Sequence, residues 1–368
     1  MLPILDLKRQ YQALEQEMDA AIKNAVVSGS YILGPNVKKL EKDFAEYCGT
    51  EAAIGVANGT DALHIALRAL NIGDGDEVIT VAFTFVATTE AIGIVGATPV
   101  FADIDPNTYN IDVSKIEEKI TSKTKAILPV HLYGQPCDMD PIMELAKKYN
   151  LYVVEDCAQA VGAEYKGKKV GSFGDYGCFS FFPSKNLGCY GDGGMVTARN
   201  EELATRVRTL RAHGGRIKYY HDELGLNSRL DEIQAAILNV KFPHIDTWND
   251  ARRAVAHRYN ELFADVDDVV TPVELEATKC VYHQYTVKVP NRTKLQDDLK
   301  EAGIQSMIYY PVPLHQQKVH AHLPACSLPE TEQCTEVVLS LPIFPELTQE
   351  EQNMVADAIK KLLCKVGV

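Results

Sequence analysis

Positive charge is in short supply: 37 Lys and Arg stand against 50 Asp and Glu, a formal net charge of −13. Nucleic-acid and anionic-membrane surfaces need concentrated Lys and Arg, so this balance points away from both as partners. Small anionic ligands stay open, because a few local groups suffice to hold them. Long apolar runs are also missing, and nothing approaches the stretch of about 18 apolar residues that spans a bilayer. The opening MLPILDLKRQ has no basic segment followed by a long apolar one, so no secretory signal is read there. The nine cysteines form no C-x-x-C pair, are odd in number and mostly sit in apolar segments. That pattern argues against a disulfide frame and a metal site, and for reduced, buried thiols in a cytoplasmic protein. Two phosphate-binding signatures are absent as well: there is no G-x-x-x-x-G-K-[ST], and no G-x-G-x-x-G follows the first strand.

What is present is an ordinary globular composition, 46% hydrophobic and 24% charged over 368 residues, enough for one large domain and a smaller one. Apolar residues at Leu14, Met18, Ala21, Ile22, Ala25 and Val26 predict a helix over 11–27 that Gly29 ends, and 37–47 reads as a second. Short β-rich runs then alternate with amphipathic helices: strands over 52–57, 77–81, 99–102, 126–130 and 151–155, helices over 60–70, 86–95 and 141–149. Such alternation implies a mostly parallel sheet covered by helices on both faces. After the runs 176–182 and 194–197, segments 201–212 and 231–240 read as helical, and a helical stretch follows through Trp248 to Phe263. The remainder reads as a small α+β unit with strands over 284–289 and 305–309 and helices over 293–301 and 349–363. The domains are expected at 1–250 and 251–368, with the border inside the 241–265 stretch.

Three pieces carry chemistry. The first is Phe179–Gly194, FSFFPSKNLGCYGDGG, where an apolar strand leads into Lys185 and four glycines follow. Glycines let backbone fold closely around a ligand, and a desolvated lysine has a lowered pKa that makes it a nucleophile toward an aldehyde. An exposed lysine in a glycine-rich surface loop is the plain alternative. The second is LYVVEDCAQA, in which Asp156 follows the apolar run of a strand, at the end where open α/β sheets place ligands. Pyridoxal phosphate (PLP) chemistry needs a carboxylate that keeps the pyridine nitrogen protonated, so the ring accepts the electrons of a Cα carbanion. A helix N-cap is an equally good reading of Asp156 from these residues alone. Gln159, one turn on, is placed to hydrogen-bond the ring's phenolic oxygen. The third is VANGTDAL, running from strand into helix, where Gly59 permits close approach and Thr60 supplies a hydroxyl beside helix N-terminal N–H groups. Alone it is a turn and a cap; a phosphate cradle, a carboxylate and a lysine in chain order make the set that a PLP site requires.

At these residues the chain resembles the DegT/DnrJ/EryC1/StrS family of PLP-dependent sugar-nucleotide aminotransferases. The matching stretches are YILGP (31–35), ANGTDAL (57–63), FTFVAT (83–88), VHLYGQP (130–136), EDCAQA (155–160), SFFPSKNLGCYGDGG (180–194), LNSRLDEIQAAIL (226–238) and YYPVPLH (309–315), which together cover essentially the full length. The resemblance implies fold type I, the aspartate-aminotransferase-like α/β fold with a large mostly parallel sheet domain and a small C-terminal α+β domain, as a homodimer with shared active sites. By it, Lys185 is the Schiff-base lysine and proton shuttle, Asp156 meets the pyridinium nitrogen and Gln159 lies near the phenolic oxygen. Gly59, Thr60 and Ser180 hold the phosphate, with Asn227 reaching it from the partner subunit, and Phe85 stacks on the ring. From the residues alone Phe85 reads as an ordinary core aromatic. Tyr31, Tyr309 and Tyr310 fall in segments implied to contact the sugar, and Arg229 of the neighbouring subunit is the candidate for an anionic part of it. The plain reading of Arg229 is a helix-start arginine in an ion pair. The basic run Arg206–Lys218 is read as a solvated helix face rather than a diphosphate site.

The activity implied is transfer of an amino group from L-glutamate, through pyridoxamine phosphate, to a nucleotide-linked keto sugar. The YYPVPLH segment leans toward 3-keto sugars, dTDP-3-oxo-6-deoxyhexose or a UDP-linked 3-oxo sugar, with amino sugars for surface glycans such as O-antigen lipopolysaccharide or for glycosylated natural products as the destination. A 4-keto sugar is the alternative. A PLP-dependent sugar dehydratase is disfavoured because that branch replaces the lysine with histidine, and a non-catalytic regulatory homologue because it needs neither lysine, aspartate nor cradle.

Overall fold

In the computed structural model, which describes residues 1–364, most of the expected strands and helices form and pack against one another. The helices are α1 (Leu7–Ser28), α2 (Pro35–Cys48), α3 (Gly59–Ala69), α4 (Ala87–Ile94), α5 (Met139–Tyr149), α6 (Glu201–Leu210), α7 (Glu232–Lys241), α8 (Ile245–Phe263), α9 (Arg292–Glu301), α10 (Pro329–Val337) and α11 (Gln349–Cys364). The strands are β1 (Ala52–Val56), β2 (Glu77–Val81), β3 (Thr98–Ala102), β4 (Thr124–Ile127), β5 (Tyr152–Asp156), β6 (Glu164–Tyr165), β7 (Lys168–Lys169), β8 (Tyr176–Ser180), β9 (Gly194–Ala198), β10 (Thr278–Lys279), β11 (Tyr285–Lys288) and β12 (Val338–Leu341).

Local chemistry sets the boundaries. Asp6 caps α1 by accepting from the N–H groups of Lys8 and Arg9, and Gly29 ends it in the left-handed conformation at φ 68°. Asn58 caps α3 through the N–H of Asp61, which fixes the start of that helix at Gly59. Strands β1 and β9 are buried at every position, as strands covered on both faces should be.

Seven strands form the main sheet in the order β1-β9-β8-β5-β4-β2-β3. The β8, β5, β4, β2 and β3 strands run parallel, while β9 is antiparallel to both of its neighbours. This arrangement is the fold type I architecture, with the carboxyl ends of β2, β5 and β8 on one side. The reversal at β9 has a consequence: its first residue, Gly194, pairs with Val56 on one side and Ser180 on the other. The end of β1, the end of β8 and the start of β9 therefore meet at one point of the sheet rim.

One core lies on the α3, α5 and α6 side of this sheet; a second layer centres on Phe44, whose ring meets Phe179 edge-on at 4.9 Å and Phe181 at 5.7 Å. A separate core joins Tyr259 and Phe263 of α8 to Tyr285 and Val287 of β11, Leu339 of β12 and Val355 of α11. Ile245, at the other end of α8, packs with Phe44 instead. Leu2 and Leu5 also lie against the C-terminal core, with Leu2 bridged to Ile304.

The C-terminal unit departs from the expected pattern. The strand expected over 305–309 is reduced to a single bridge between Met307 and Ser340, because β11 takes its partner from Val338–Leu341, a run that the sequence reading left unassigned. Residues 365–368 of the expected small domain lie outside the described residues.

Candidate active site

The sheet rim gathers the three chemical pieces. Ser180 ends β8, Asp156 ends β5, and Lys185 sits five residues beyond Ser180 in a turn closed by its own N–H donating to Phe182 O at 2.8 Å. The Lys185 side chain is half-buried, and the protein packed around its ε-amine lowers the pKa from 10.5 to about 8, opposed by the Asp156 charge. This is not the solvated lysine of a surface loop.

Asp156 is buried and does not cap a helix, since turns rather than helix follow β5. One carboxylate oxygen accepts from the Thr88 hydroxyl at 2.8 Å and the other from the Ala158 N–H at 3.1 Å. Burial pushes its pKa up, while those two donors and the Lys185 charge pull it back. A cation placed against this carboxylate, such as a protonated pyridine nitrogen, completes the compensation that burial demands.

The cradle is equally constrained. Gly59 and Thr60 open α3, where the first N–H groups have no acceptor within the helix and the dipole favours an anion. A Cβ on Gly59 would lie 2.6 Å from Ser180 Cβ, and one on Gly194 would lie 2.4 Å from Asn58 O. Both close approaches need glycine. They leave a helix terminus with hydroxyls of Thr60 and Ser180 beside it, the shape and chemistry of a phosphate seat.

Phe85, just past β2, is 56% exposed and tilted toward Tyr310 with ring centroids 6.3 Å apart. The core reading of this residue fails: a large aromatic left open beside Asp156's neighbour Thr88 is available to stack on a planar ring. Gln159 uses its carbonyl oxygen for the Tyr133 N–H at 2.8 Å and its amide N–H for the Tyr310 hydroxyl at 3.0 Å. The Tyr309 carbonyl accepts from the Tyr133 hydroxyl, so the 309–310 segment is tied to the site at both residues.

The other candidates stand apart from this cluster. Tyr31 is 47% exposed, and its hydroxyl donates to Val26 O at the end of α1. Asn227 is exposed and Arg229 half-buried, on either side of buried Ser228, whose hydroxyl accepts from Ala57 N–H at 3.1 Å. Among the described residues, no ion pair engages Arg229, against its plain reading. The basic run is engaged elsewhere: Arg206 pairs with Glu223, Arg208 with Glu201, and buried Arg211 with Glu41.

Sequence reasoning passed over Thr88, Tyr133, Asn186 and His283. Thr88 lies within FTFVAT, and its place on the first turn of α4 is the signal that aims it at the end of β5. Asn186 and His283 meet at 3.1 Å through a contact between distant segments, which no local pattern signals.

A large mixed sheet, a desolvated lysine, a buried carboxylate that feels its charge and a helix-terminal cradle together define a fold type I PLP-dependent transferase. The profile of the DegT/DnrJ/EryC1/StrS aminotransferase family matches residues 12–360, and the chain belongs to that family. Its cofactor is pyridoxal 5′-phosphate. The chain is 52% identical to a "Pleiotropic regulatory protein" of Geobacillus stearothermophilus, over 97% of each chain. It is 49% identical to the UDP-N-acetyl-3-dehydro-alpha-D-glucosamine 3-aminotransferase of Acidithiobacillus ferrooxidans, over 98% of each. Among solved structures, DesV of S. venezuelae in complex with a ketimine intermediate superposes with a TM-score of 0.96 at 45% identity, covering 98% of each chain.

Proposed function

We propose that this enzyme moves the amino group of L-glutamate to a 3-keto sugar carried on a nucleoside diphosphate, giving a 3-amino sugar. The observation that carries the reading is the desolvated Lys185 amine, whose lowered pKa is opposed by the charge of the buried Asp156 carboxylate at the same sheet rim. The preference for a 3-keto sugar is supported by relatives: besides the UDP-sugar 3-aminotransferase above, transaminases named for dTDP-3-amino sugars match at 45% and 48% identity. A relative named GDP-perosamine synthase also matches, at 41%, and a 4-keto sugar stays the alternative. The regulatory name of the 52% relative does not favour a non-catalytic chain here, because a scaffold has no need of the lysine, aspartate and cradle that are all retained.

When bound, the cofactor supplies an aldehyde that links to amines and an electron sink for the bond broken at the adjacent carbon. The protein's own groups do the rest. Lys185 holds the cofactor at rest and, once displaced by the donor, carries the proton between the donor's Cα and the cofactor. Asp156 fixes the positive charge on the pyridine nitrogen, with Thr88 fixing Asp156. Gly59, Thr60 and Ser180 seat the phosphate, Phe85 covers one ring face, and Gln159 orients the ring's polar edge. Tyr309 and Tyr310 meet the sugar, and Tyr31, Asn227 and Arg229, being turned outward, act at a site shared with a second copy in a homodimer. The domain border falls within α8, at about residue 250, where its packing passes from one core to the other. A nucleotide-linked substrate and seven buried free thiols suit the reducing cytoplasm; among the described residues no helix is long and apolar enough to cross a membrane.

The test is direct. Enzyme, L-glutamate and a panel of UDP-, dTDP- and GDP-linked 3-keto and 4-keto sugars are incubated, and amine formation is read by mass. A 3-amino product is expected; amination of the 4-keto members alone would overturn the positional assignment.

A further inference from the structure

Thr84 is a polar side chain in an apolar place. It follows buried Ala82 and Phe83 in the loop after β2 and is itself 2% exposed, so its hydroxyl needs a partner to offset the loss of water. Among the described residues that partner is Thr88 alone, hydroxyl to hydroxyl at 3.0 Å. Thr88, buried in the first turn of α4, touches Asp156 with the same oxygen at 2.8 Å. The three side chains form one line of hydrogen bonds that ends on the carboxylate.

The protons along this line have a fixed direction. Each hydroxyl has one proton to give, and a carboxylate set against a protonated pyridine only accepts. The Thr88 proton therefore goes to Asp156 Oδ2, and in the Thr84–Thr88 contact Thr84 must donate. The neighbouring threonine shows what Thr88 does not do. Thr89 donates its hydroxyl to Val86 O at 3.1 Å, the carbonyl three residues back, as threonines in helices commonly do. Among the described residues Thr88 makes no such bond. A donor seated on its oxygen, from Thr84, holds the side chain with its proton aimed at Asp156. Hydrogen bonds in series also strengthen one another, so the Thr88 hydroxyl is a better donor for the one behind it. The other carboxylate oxygen has the Ala158 N–H at 3.1 Å. These are the hydrogen bonds that keep a buried carboxylate charged against its desolvation.

We propose that Thr84 is a positioning residue for Asp156: its hydroxyl donates to Thr88, turns the Thr88 proton onto the carboxylate and so keeps the shared proton on the cofactor's pyridine nitrogen. The inference rests on the reading of Asp156 as the partner of that nitrogen. Neither threonine gives up its proton; both act as hydrogen-bond donors throughout.

The test uses Thr84→Val, which removes the hydroxyl at nearly the same shape, and Thr84→Ser, which keeps it. Each protein is reconstituted with pyridoxal phosphate carrying a nitrogen-15 ring atom, whose solid-state NMR shift tells a protonated pyridine from a neutral one. A carboxylate with weaker donors is the stronger base, so the Thr84→Val signal should move toward the neutral position while Thr84→Ser stays with wild type. Turnover of Thr84→Val should fall about three- to tenfold, the worth of one neutral hydrogen bond, and Thr84→Ser should recover it. Should Thr84→Val not fold, Thr84→Ala removes the same hydroxyl without adding bulk and carries the comparison. A nitrogen signal unchanged by loss of the hydroxyl overturns the proposal, even where stability or turnover falls, because a hydroxyl that only supports the fold would do that much. A Thr84→Ser signal displaced as far as that of Thr84→Val overturns it too. Asp156→Asn is the control: if it leaves the wild-type nitrogen signal in place, the reading of Asp156 itself fails, a result told apart from a failure at Thr84 alone.

Discussion

At the scale of single residues, the proposed chemistry turns on the contest between desolvation and charge at Lys185 and Asp156. Lys185→Ala should abolish transamination and lose the band at about 420 nm of the lysine-linked cofactor, while still holding cofactor non-covalently; ordinary turnover would refute the lysine's role. A lysine whose pKa falls to about 8 also sets a pH dependence. In the proposed mechanism the free amine accepts the proton, so the glutamate half-reaction should speed up as pH rises through about 8 and level off above it. With an unshifted pKa of 10.5 the rise would fall above pH 10, which a stopped-flow pH series distinguishes. Asp156→Asn keeps an acceptor for Thr88 but removes the charge that holds the pyridine proton, and should lower turnover by roughly 100-fold or more. Lys185, Asp156 and the cradle could be found from sequence because strand ends and glycines mark their places. Phe85 could not: an aromatic after an apolar strand reads the same whether it is buried or, as here, 56% exposed over the site.

At the scale of elements, the site depends on how closely β1, β8 and β9 approach at the rim. Gly194 pairs with both Val56 and Ser180, and a Cβ there meets backbone, Asn58 O at 2.4 Å, which cannot swing aside as a side chain would. Gly194→Ala should therefore push the Asn58–Gly59 turn outward, costing about 1–3 kcal/mol of stability and weakening cofactor affinity together. Thermal unfolding and a cofactor titration check the pair; a fall in stability with unchanged affinity would separate the rim from the phosphate seat. The alternation of strands and helices was legible over the first two hundred residues, because parallel strands buried on both faces give uninterrupted apolar runs. The C-terminal unit was harder for a physical reason. Its two-stranded sheet pairs segments about fifty residues apart, and nothing local tells Val338–Leu341 from residues 305–309 as the partner of β11.

At the scale of the whole molecule, the proposed homodimer accounts for several features together. Ile217, Tyr219, Tyr220 and Leu224 are 68%, 80%, 71% and 85% exposed on one connecting segment, a concentration of apolar side chains that solvent does not favour. Asn227 and Arg229 follow directly, turned outward from Ser228, which faces the cradle strand. A homodimer that covers the segment and inserts Asn227 and Arg229 into the partner's site accounts for both. Two inactive variants then complement each other. Lys185→Ala spoils one site through its own lysine, and Arg229→Ala spoils the site of its neighbour. In a mixed dimer one site receives both defects and the other receives neither. Mixing, unfolding and refolding equal amounts should restore about a quarter of wild-type activity, since half of the dimers are mixed and each of those has one intact site. Sedimentation should show dimers in every sample. Recovery no greater than the sum of the separate variants, with dimers present, would place Arg229 in the same site as its own Lys185 and remove the shared-site arrangement.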